Sequence, residues 1–322
     1  MVTVTAPPAT GLRTPWEALP ESVKDAVAGV LGAPVVSAVT QTGGFSPGVA
    51  ARVGTADGRR AFVKAVSADA NPQSPGLHRA EARVSAALPP EVPAPRLLGS
   101  HDDGTWVALV FEDIDGRQPR VPWLRDELRL VFDAVGELGR ILTPSPVDVP
   151  GAVDDLADDF RGWRHLLDAG DTGDGLDPWT RDRLPLLADL ADRWTGAADG
   201  DTLVHSDLRA DNVLLTPDGR VVLVDWPHAR RAAPWFDLLV MLPCVRAQGG
   251  PDPEEVFAAH PLGQGADPDG VTATLAGLAG YFIHGSRQPP PPGLPTLRAF
   301  QRAQGEAALE WLRTRLRGRT GC

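Results

Sequence analysis

Residues 202–228 read TLVHSDLRADNVLLTPDGRVVLVDWPH, and this segment carries the pattern on which the fold assignment rests. An apolar strand leads into Asp207, and two further apolar strands flank a Thr-Pro-Asp-Gly sequence that is typical of a hairpin turn. This hairpin predicts that Asn212 and Asp225 lie at neighbouring ends of two paired strands, beside Asp207. Three oxygen-bearing side chains are therefore expected to converge on one spot.

Such a cluster suits magnesium and phosphate chemistry. Mg²⁺ prefers oxygen ligands and is commonly held by one or two side chains together with substrate phosphates. Asn212 and Asp225 fit the metal-ligand role, which leaves Asp207 to orient and deprotonate an attacking hydroxyl. Asparagine occurs only at positions 71 and 212, so its presence five residues after Asp207 argues against an ordinary loop.

The same residues carry a resemblance to a known family. The pattern His205-x-Asp207-x₄-Asn212, followed by Asp225, resembles the catalytic and metal-binding loops of the protein-kinase-like superfamily. The surrounding sequence resembles the aminoglycoside phosphotransferase and choline kinase family over about residues 35–320. The resemblance implies an α+β, protein-kinase-like fold of two lobes. The N-lobe would be a small antiparallel sheet with one main helix, and the larger C-lobe mostly helical.

The hydrophobic patterning agrees with that layout. Short β-branched runs separated by turn signals fill the first third, whereas apolar residues recur at helical spacing from about residue 122 onward. We expect a flexible N-terminal arm at 1–14, an N-lobe that binds nucleotide phosphates at 15–113, a hinge or linker at 114–121, and a helical C-lobe at 122–322 that carries the catalytic loop and acceptor site.

Helices are predicted at eight places. Two lie in the N-lobe, namely Trp16–Leu31 and a helix capped by Ser74 that extends to Leu88, and six in the C-lobe, at Leu124–Leu142, Val153–Leu167, Trp179–Trp194, Pro234–Ala247, Val271–Ile283 and Thr296–Leu316.

One lysine stands out in the predicted N-lobe. Only Lys24 and Lys64 are lysines among 31 basic residues, and Lys64 lies inside an apolar strand. A lysine in such a place needs a partner, because an unpaired buried charge is costly. The resemblance implies that Lys64 grips the α- and β-phosphates and that Glu81 of the following helix holds it in place.

Two further segments are predicted to contact the nucleotide. Gly43, Gly44, Ser46 and Gly48 form a loop whose backbone N–H groups and one hydroxyl can approach phosphates. Phe111, Glu112 and Ile114 resemble the hinge whose backbone hydrogen-bonds a purine, and their side chains do not distinguish adenine from guanine.

Two residues are expected to support the catalytic loop. Asp237 matches a family aspartate that buttresses this loop from the next helix, and His205 is expected to pack and hydrogen-bond within it. His228 is read as structural, with contact to the acceptor as the alternative. Ser206 departs from the glycine that the family often has at this position.

These predictions define an enzyme that moves the γ-phosphoryl group of ATP or GTP, with Mg²⁺, to a hydroxyl of a small molecule. The alternative is a nucleotide-binding pseudoenzyme with a regulatory role, although the base, the metal ligands and the lysine are all present. A protein kinase is disfavoured, because the eleven residues between Asp225 and Asp237 leave no room for a platform that binds a protein substrate.

Net charge, apolar runs and cysteine count limit the classes of partner and the cellular compartment that we expect for this protein. The net charge of −11 argues against nucleic acid, the apolar runs are too short and interrupted for a membrane span, and two cysteines suit a reducing cytoplasm. Residues 154–199 hold twelve aspartates and five arginines. They suit a cationic acceptor, such as an aminoglycoside or an amino alcohol, or else form a solvated acidic face. The sequence leaves the oligomeric state open, and a role in antibiotic resistance rests on analogy alone.

Overall fold

The computed structural model describes residues 6–9, 11, 13–45, 48–69, 71–171, 173–291 and 293–319. Its first third contains an antiparallel sheet with the strand order β1-β2-β3-β5-β4. These strands are β1 (Val35–Thr40), β2 (Val49–Thr55), β3 (Arg60–Ser67), β4 (Leu97–Asp102) and β5 (Trp106–Glu112). Two helices, α1 (Glu21–Leu31) and α2 (Ser74–Ala87), belong to the same lobe.

The two helices cover opposite faces of the sheet. Val23 and Val27 of α1 pack with the buried side chains of Ala61, Val63 and Ala65 on β3. Successive side chains of a strand point to opposite faces, so the intervening residues of β3 face α2. This alternation is what brings the polar residue in the middle of β3 to the cleft side of the sheet.

The rest of the chain is mostly helical and carries the larger apolar core. Its helices are α3 (Arg125–Ile141), α4 (Ala152–Asp155), α5 (Gly162–Asp168), α6 (Pro178–Arg181), α7 (Leu184–Ala191), α8 (Thr195–Ala198), α9 (Phe236–Ala247), α10 (Pro253–Ala259), α11 (Pro261–Gln264), α12 (Pro268–Ser286) and α13 (Leu297–Arg319). Short 3₁₀ turns lie at Trp16–Ala18, Asp159–Arg161 and Ala210–Asn212. The predicted α+β class is confirmed.

Two small antiparallel pairs frame the 202–228 segment. One joins β6 (Thr202–Val204) to β9 (Arg230–Ala232), and the other joins β7 (Val213–Leu215) to β8 (Val221–Leu223). The linker before α3 is tied to this region, because Arg117 and Leu215 exchange backbone hydrogen bonds of 3.0 and 2.7 Å.

The N-terminal arm contacts both lobes. The N–H of Ala6 donates to the carbonyl of Ala247 at the end of α9 (3.0 Å), and the carbonyl of Ala9 accepts from the N–H of Gly44 (3.0 Å). Thr14 donates to the carbonyl of Gly48 at 3.1 Å. The described residues of the arm therefore run beside the glycine-rich loop.

Several predicted elements differ from the structure, and prolines explain two of the differences. Pro20 starts α1, so the helix predicted over Trp16–Leu31 is split into a 3₁₀ turn and α1. Pro185 lies in the first turn of α7, where its missing N–H costs nothing, and it separates α6 from α7 within the helix predicted over Trp179–Trp194.

Two other boundaries were also wrong. The helix predicted over Val153–Leu167 is instead divided into α4, a 3₁₀ turn and α5, and α5 begins at Gly162, where an added Cβ would lie 2.2 Å from the carbonyl oxygen of Gly280 on α12. Ser74 is the first residue of α2 rather than its cap. The side chain of Asn71 instead accepts from the N–H groups of Gln73 (2.9 Å) and Ser74 (3.2 Å).

No helix in the described ranges is both long and apolar enough to cross a membrane.

Candidate active site

Lys64 lies in the middle of β3 on the sheet face that α2 covers. Its ammonium nitrogen is 2.6 Å from Oε1 of Glu81 on α2 and 2.6 Å from Oδ1 of Asp225, just after β8. The Lys64–Glu81 ion pair predicted from the sequence is thus present, and Asp225 joins it from the other lobe. One cation connects the sheet, its helix and the 202–228 segment.

The electrostatics of this triad keep Lys64 charged. Burial alone would lower the pKa of Lys64, but the carboxylates of Asp225 and Glu81 more than offset that effect and raise it. Burial would likewise raise the pKa of Asp225, and the Lys64 ammonium holds it well below its usual range. Asp225 is therefore ionised at neutral pH, as an oxygen ligand for a cation must be.

Asp237 fastens the loop that precedes Asp207. The N–H groups of His205 and Ser206 each donate to one oxygen of this carboxylate, both at 2.7 Å. Burial raises the pKa of Asp237 to about 6, although these two hydrogen bonds oppose the shift. His205 is also buried, and its Nε2 lies 3.0 Å from the carbonyl oxygen of Val224. Asp237 and His205 thus lie where residues that support the catalytic loop are expected.

The loop is held in a strained backbone conformation. Ser206 has a φ of 66° and Asp225 a φ of 71°, in the left-handed region where side chains other than glycine are disfavoured. The glycine that the family often has at position 206 suits this conformation, and Ser206 adopts it at an energetic cost. Strain of this kind is characteristic of residues that the surrounding structure holds in one geometry.

Asp207, Asn212 and Asp225 are brought together by the hairpin. Val213 pairs with Leu223, which aligns the ends of β7 and β8. The amide nitrogen of Asn212 donates to the carbonyl of Asp207 (2.8 Å) and to Oδ2 of its carboxylate (3.1 Å). Burial raises the pKa of Asp207 despite the opposing charge of a nearby guanidinium. A raised pKa favours a carboxylate that accepts a proton.

That guanidinium belongs to Arg209, which sequence reasoning missed. It donates to Oδ1 of Asp207 at 2.6 Å and to both oxygens of Asp211 at 3.0 and 2.9 Å. It also lies over the rings of Phe45, in the glycine-rich loop, and Phe300, on α13, at 5.5 and 5.7 Å from their centroids. Arginine is common in this chain, so nothing in the sequence singled out this one.

The glycine-rich loop lies above these residues. Gly43 and Gly44 line the cleft, and Gly48 follows them at the start of β2. Ser46 lies outside the described residues. Gly48 has a φ of 100°, and a Cβ there would come within 2.5 Å of the carbonyl oxygen of Ala65. Only glycine permits this close approach of the loop to β3.

The predicted hinge follows β5. Phe111 is buried below Lys64, whose ammonium is 5.8 Å from the ring centroid. The N–H of Glu112 donates to the carbonyl of Arg96, and the carbonyl of Ile114 accepts from Arg52 at 3.0 Å. The N–H of Glu112 is therefore already engaged, whereas the carbonyl oxygen of Ile114 keeps a second lone pair that can accept from a purine.

All of these elements border one cleft with a cavity volume of about 1080 Å³. Its walls include Lys64, Glu81, Asp207, Asn212 and Asp225. The described part of the chain has no cluster of three or more His, Cys, Asp or Glu side chains that could hold a metal alone. A cation between Asn212 and Asp225 would therefore complete its shell with phosphate oxygens and water, as Mg²⁺ commonly does.

A model of the phosphotransferase enzyme family (APH) matches residues 42–278 of this sequence. The chain belongs to that family. The matched range contains the glycine-rich loop, Lys64, Glu81 and the whole 202–228 segment, and it excludes the N-terminal arm and α13.

Individual relatives agree with this assignment. An aminoglycoside 3'-phosphotransferase of Streptomyces ribosidificus is 32% identical over 156 residues, which are 46% of this chain and 57% of the relative. The match thus spans little more than half of that relative's length.

Two solved structures share the fold at 15% sequence identity. One is a thermostable mutant of aminoglycoside phosphotransferase APH(4)-Ia in ternary complex with ADP and hygromycin B, with a TM-score of 0.58 over 91% of this chain and 98% of that one. The other is the choline kinase LicA from Streptococcus pneumoniae, with a TM-score of 0.59 over the same shares. Both support the protein-kinase-like architecture.

The strain at Ser206 predicts the effect of two substitutions. Ser206→Gly removes the penalty for a positive φ and should raise the free energy of unfolding by about 1 kcal/mol. Ser206→Ala keeps the Cβ and the strain but, like the glycine variant, removes a buried hydroxyl that has no hydrogen-bond partner among the described residues, so the glycine variant should be the more stable of the two. Urea unfolding of the two variants and the parent protein measures the difference. Equal stability of the glycine and alanine variants would show that the backbone strain has no energetic weight.

His78 predicts a pH dependence of stability. It is buried on α2, one turn before Glu81, and burial, together with repulsion from Lys64, lowers its pKa from the ordinary 6.5 to about 4. Between those values the unfolded chain binds a proton that the folded chain does not, so stability falls as pH falls from about 6.5 to 4. His78→Gln should make this fall shallower.

The measurement is urea unfolding of His78→Gln and the parent protein at pH 7, 6 and 5. Two other buried groups contribute to the pH dependence of stability: burial lowers the pKa of His205 to about 4 and raises that of Asp237 to about 6. Both groups are present in both proteins, so their contributions cancel in the comparison. Parallel pH profiles would contradict the assignment of a buried neutral imidazole to His78.

Proposed function

We propose that this chain transfers the γ-phosphoryl group of ATP or GTP to a hydroxyl group of a small molecule, with Mg²⁺ as cofactor. The observation that carries the proposal is the convergence of Lys64, Asp207, Asn212 and Asp225 on one cleft beneath a glycine-rich loop. These four groups supply the cation, the base and the oxygen ligands that phosphoryl transfer requires. Membership of the phosphotransferase family supports the reaction class.

Lys64 is proposed to bind the α- and β-phosphates. Its ammonium faces the cleft and is held by Glu81, so it is already oriented before the nucleotide arrives. Asp225 also accepts a hydrogen bond from Lys64. We expect Asp225 to exchange that contact for the metal. The N–H group of Lys64 released in this way can then donate to the phosphates.

Asp225 and Asn212 are proposed to hold the metal. Asp225 is ionised, and the amide nitrogen of Asn212 is directed at Asp207, so its amide oxygen lies on the other side and can meet a cation. When bound, Mg²⁺ neutralises charge on the phosphate oxygens during transfer. The two side chains provide a position for it and leave room for waters and phosphates.

Asp207 is proposed as the base that orients the acceptor hydroxyl and takes up its proton. Asn212 and Arg209 fix its carboxylate from two sides. Fixed geometry counts more than basicity here, because phosphoryl transfer depends mainly on alignment and charge stabilisation.

A cationic acceptor is proposed from the acidic stretch 154–199, which holds twelve aspartates and five arginines. Asp159 of this stretch is exposed, and Asp155 and Asp158 add their negative charges around it. Partial desolvation raises the pKa of Asp159, although the charge of Arg230 opposes the shift. Aminoglycosides and amino alcohols carry the positive charge that such a surface attracts.

The test is ADP or GDP release with Mg²⁺ across a panel of aminoglycosides, amino alcohols, nucleosides and neutral sugars. Turnover with the cationic compounds supports the proposed acceptor class. Turnover only with neutral sugars would reject that class and keep the phosphotransferase reaction.

Asp207→Asn separates catalysis from binding. The amide keeps the size of the side chain but does not accept the proton, so turnover should fall by about 10²-fold or more while Mg-nucleotide affinity changes little. Steady-state kinetics and calorimetric titration measure the two effects. The matched control is Asp133→Asn, an exposed aspartate on α3, which should leave both unchanged. Turnover of Asp207→Asn close to that of the control would remove the proposed base.

A further inference from the structure

A buried phenylalanine of α13 lies against the cation that contacts the proposed base. The ring centroid of Phe300 is 5.7 Å from Cζ of Arg209, and Phe300 is only 1% exposed. Arg209 in turn donates to Oδ1 of Asp207 at 2.6 Å. Phe300 follows residues 42–278, so the family match does not include it. The last helix thus supplies an aromatic contact to the catalytic loop from outside the matched range.

The glycine-rich loop adds a second ring beside the same guanidinium. The ring centroid of Phe45 is 5.5 Å from Cζ of Arg209. Phe45 and Phe300 meet edge to face, with their centroids 5.1 Å apart and their planes at 70°. Phe300 belongs to a buried apolar cluster with Cys244 of α9 and Ala303 of α13, and Phe45 packs against it. Because this cluster is built on two helices of the larger lobe, the position of the Phe300 ring is set by core packing.

Asp211 restrains the guanidinium in its own plane. Nε and Nη2 of Arg209 donate to the two oxygens of Asp211 at 3.0 and 2.9 Å, which is a bidentate pair. Nη1 is then directed at Asp207. A long arginine side chain loses rotamer entropy when it is fixed. Aromatic rings packed against the guanidinium restrict the motions that these hydrogen bonds leave open and add a cation–π attraction.

We propose that Phe300 is a positioning residue for the proposed base. Its ring and that of Phe45 hold the Arg209 guanidinium, and the guanidinium keeps the carboxylate of Asp207 in the orientation that meets the acceptor hydroxyl. The inference rests on the proposed function, because it requires Asp207 to act as the base. Phe300 acts through Arg209 in this arrangement and takes no part in proton transfer. A small misplacement of a reacting group is enough to slow such a step.

The experiment measures phosphoryl transfer from Mg-ATP and Mg-GTP by the parent protein, Phe300→Leu, Arg209→Gln and the double variant. The acceptor is the compound of the panel above with the highest turnover, or water where no compound reacts. Leucine fills much of the space of the ring but offers the guanidinium no aromatic face. Phe300→Leu should therefore lower kcat about fivefold, which corresponds to a typical cation–π contribution. Its affinity for the Mg-nucleotide, measured by calorimetric titration, should stay the same.

The double variant shows whether Phe300 acts through Arg209. Arg209→Gln alone should lower kcat by at least as much as Phe300→Leu does. Once the guanidinium is gone, the ring has no cation to hold, so adding Phe300→Leu should lower kcat by less than about twofold further. A purely structural role of Phe300 would lower kcat by the same factor in both backgrounds, and that result would overturn the inference.

The matched control is Phe257→Leu, which removes a buried ring from α10. That ring packs against Trp311 at the other end of α13, with the two centroids 5.7 Å apart. Phe257→Leu should leave kcat unchanged, and urea unfolding compares the stability of the two leucine variants. An equal loss of kcat in both variants would show that loosening the helical lobe is sufficient, which would also overturn the inference.

The remaining outcomes separate the inference from the proposed function. If the parent protein transfers no phosphoryl group from either nucleotide, to any compound or to water, the two fail together. If the parent protein reacts and Phe300→Leu has the same kcat, only the inference fails. Weaker Mg-nucleotide binding by Phe300→Leu with an unchanged kcat would assign the ring to the nucleotide site, which likewise rejects the inference alone.

Discussion

The structure depends on a single buried ammonium shared by two carboxylates. Lys64 belongs to the sheet, Glu81 to the helix packed on that sheet, and Asp225 to the other lobe, so this triad connects the two lobes at the base of the cleft. Removing one partner of a buried ion pair costs about 3–5 kcal/mol, because the remaining charge is left without compensation. Under the proposed function, Asp225 exchanges its contact with Lys64 for the metal when a metal–nucleotide complex binds.

The residues around the triad are fixed by different means. Asp237 holds the loop that precedes Asp207 through two backbone N–H groups, and positive φ angles at Ser206 and Asp225 turn the chain sharply on both sides of the hairpin. Arg209 secures Asp207 and contacts both the glycine-rich loop and α13. Arg209 thereby joins the glycine-rich loop and α13 to the proposed base.

The centre of the site could be predicted from the sequence because its residues are rare or closely spaced. Lys64 is one of two lysines, Asn212 one of two asparagines, and the hairpin between Asn212 and Asp225 has a recognisable turn. The roles assigned to these residues stay predictions. The sheet follows from short β-branched runs between turn signals, and the helical second lobe from apolar residues that recur at helical spacing.

The surrounding shell could not be predicted in the same way. Arg209 belongs to an abundant residue type, and its position depends on contacts between segments far apart in sequence. The helices divided at Pro20 and before α7, which has Pro185 in its first turn, reflect local breaks that apolar periodicity alone does not register.

The proposed site is tested most directly by calorimetric titration of ATP and GTP, with and without Mg²⁺, into the parent protein and Lys64→Met. The control is Lys24→Met, which replaces the other lysine of the chain, on α1. We expect the parent protein and the control to bind ATP or GTP more tightly with Mg²⁺ than without it. We expect Lys64→Met to keep its fold and to bind the Mg²⁺–nucleotide at least about tenfold more weakly than the parent protein. Equal binding by Lys64→Met, or nucleotide binding by the parent protein that ignores Mg²⁺, would contradict it.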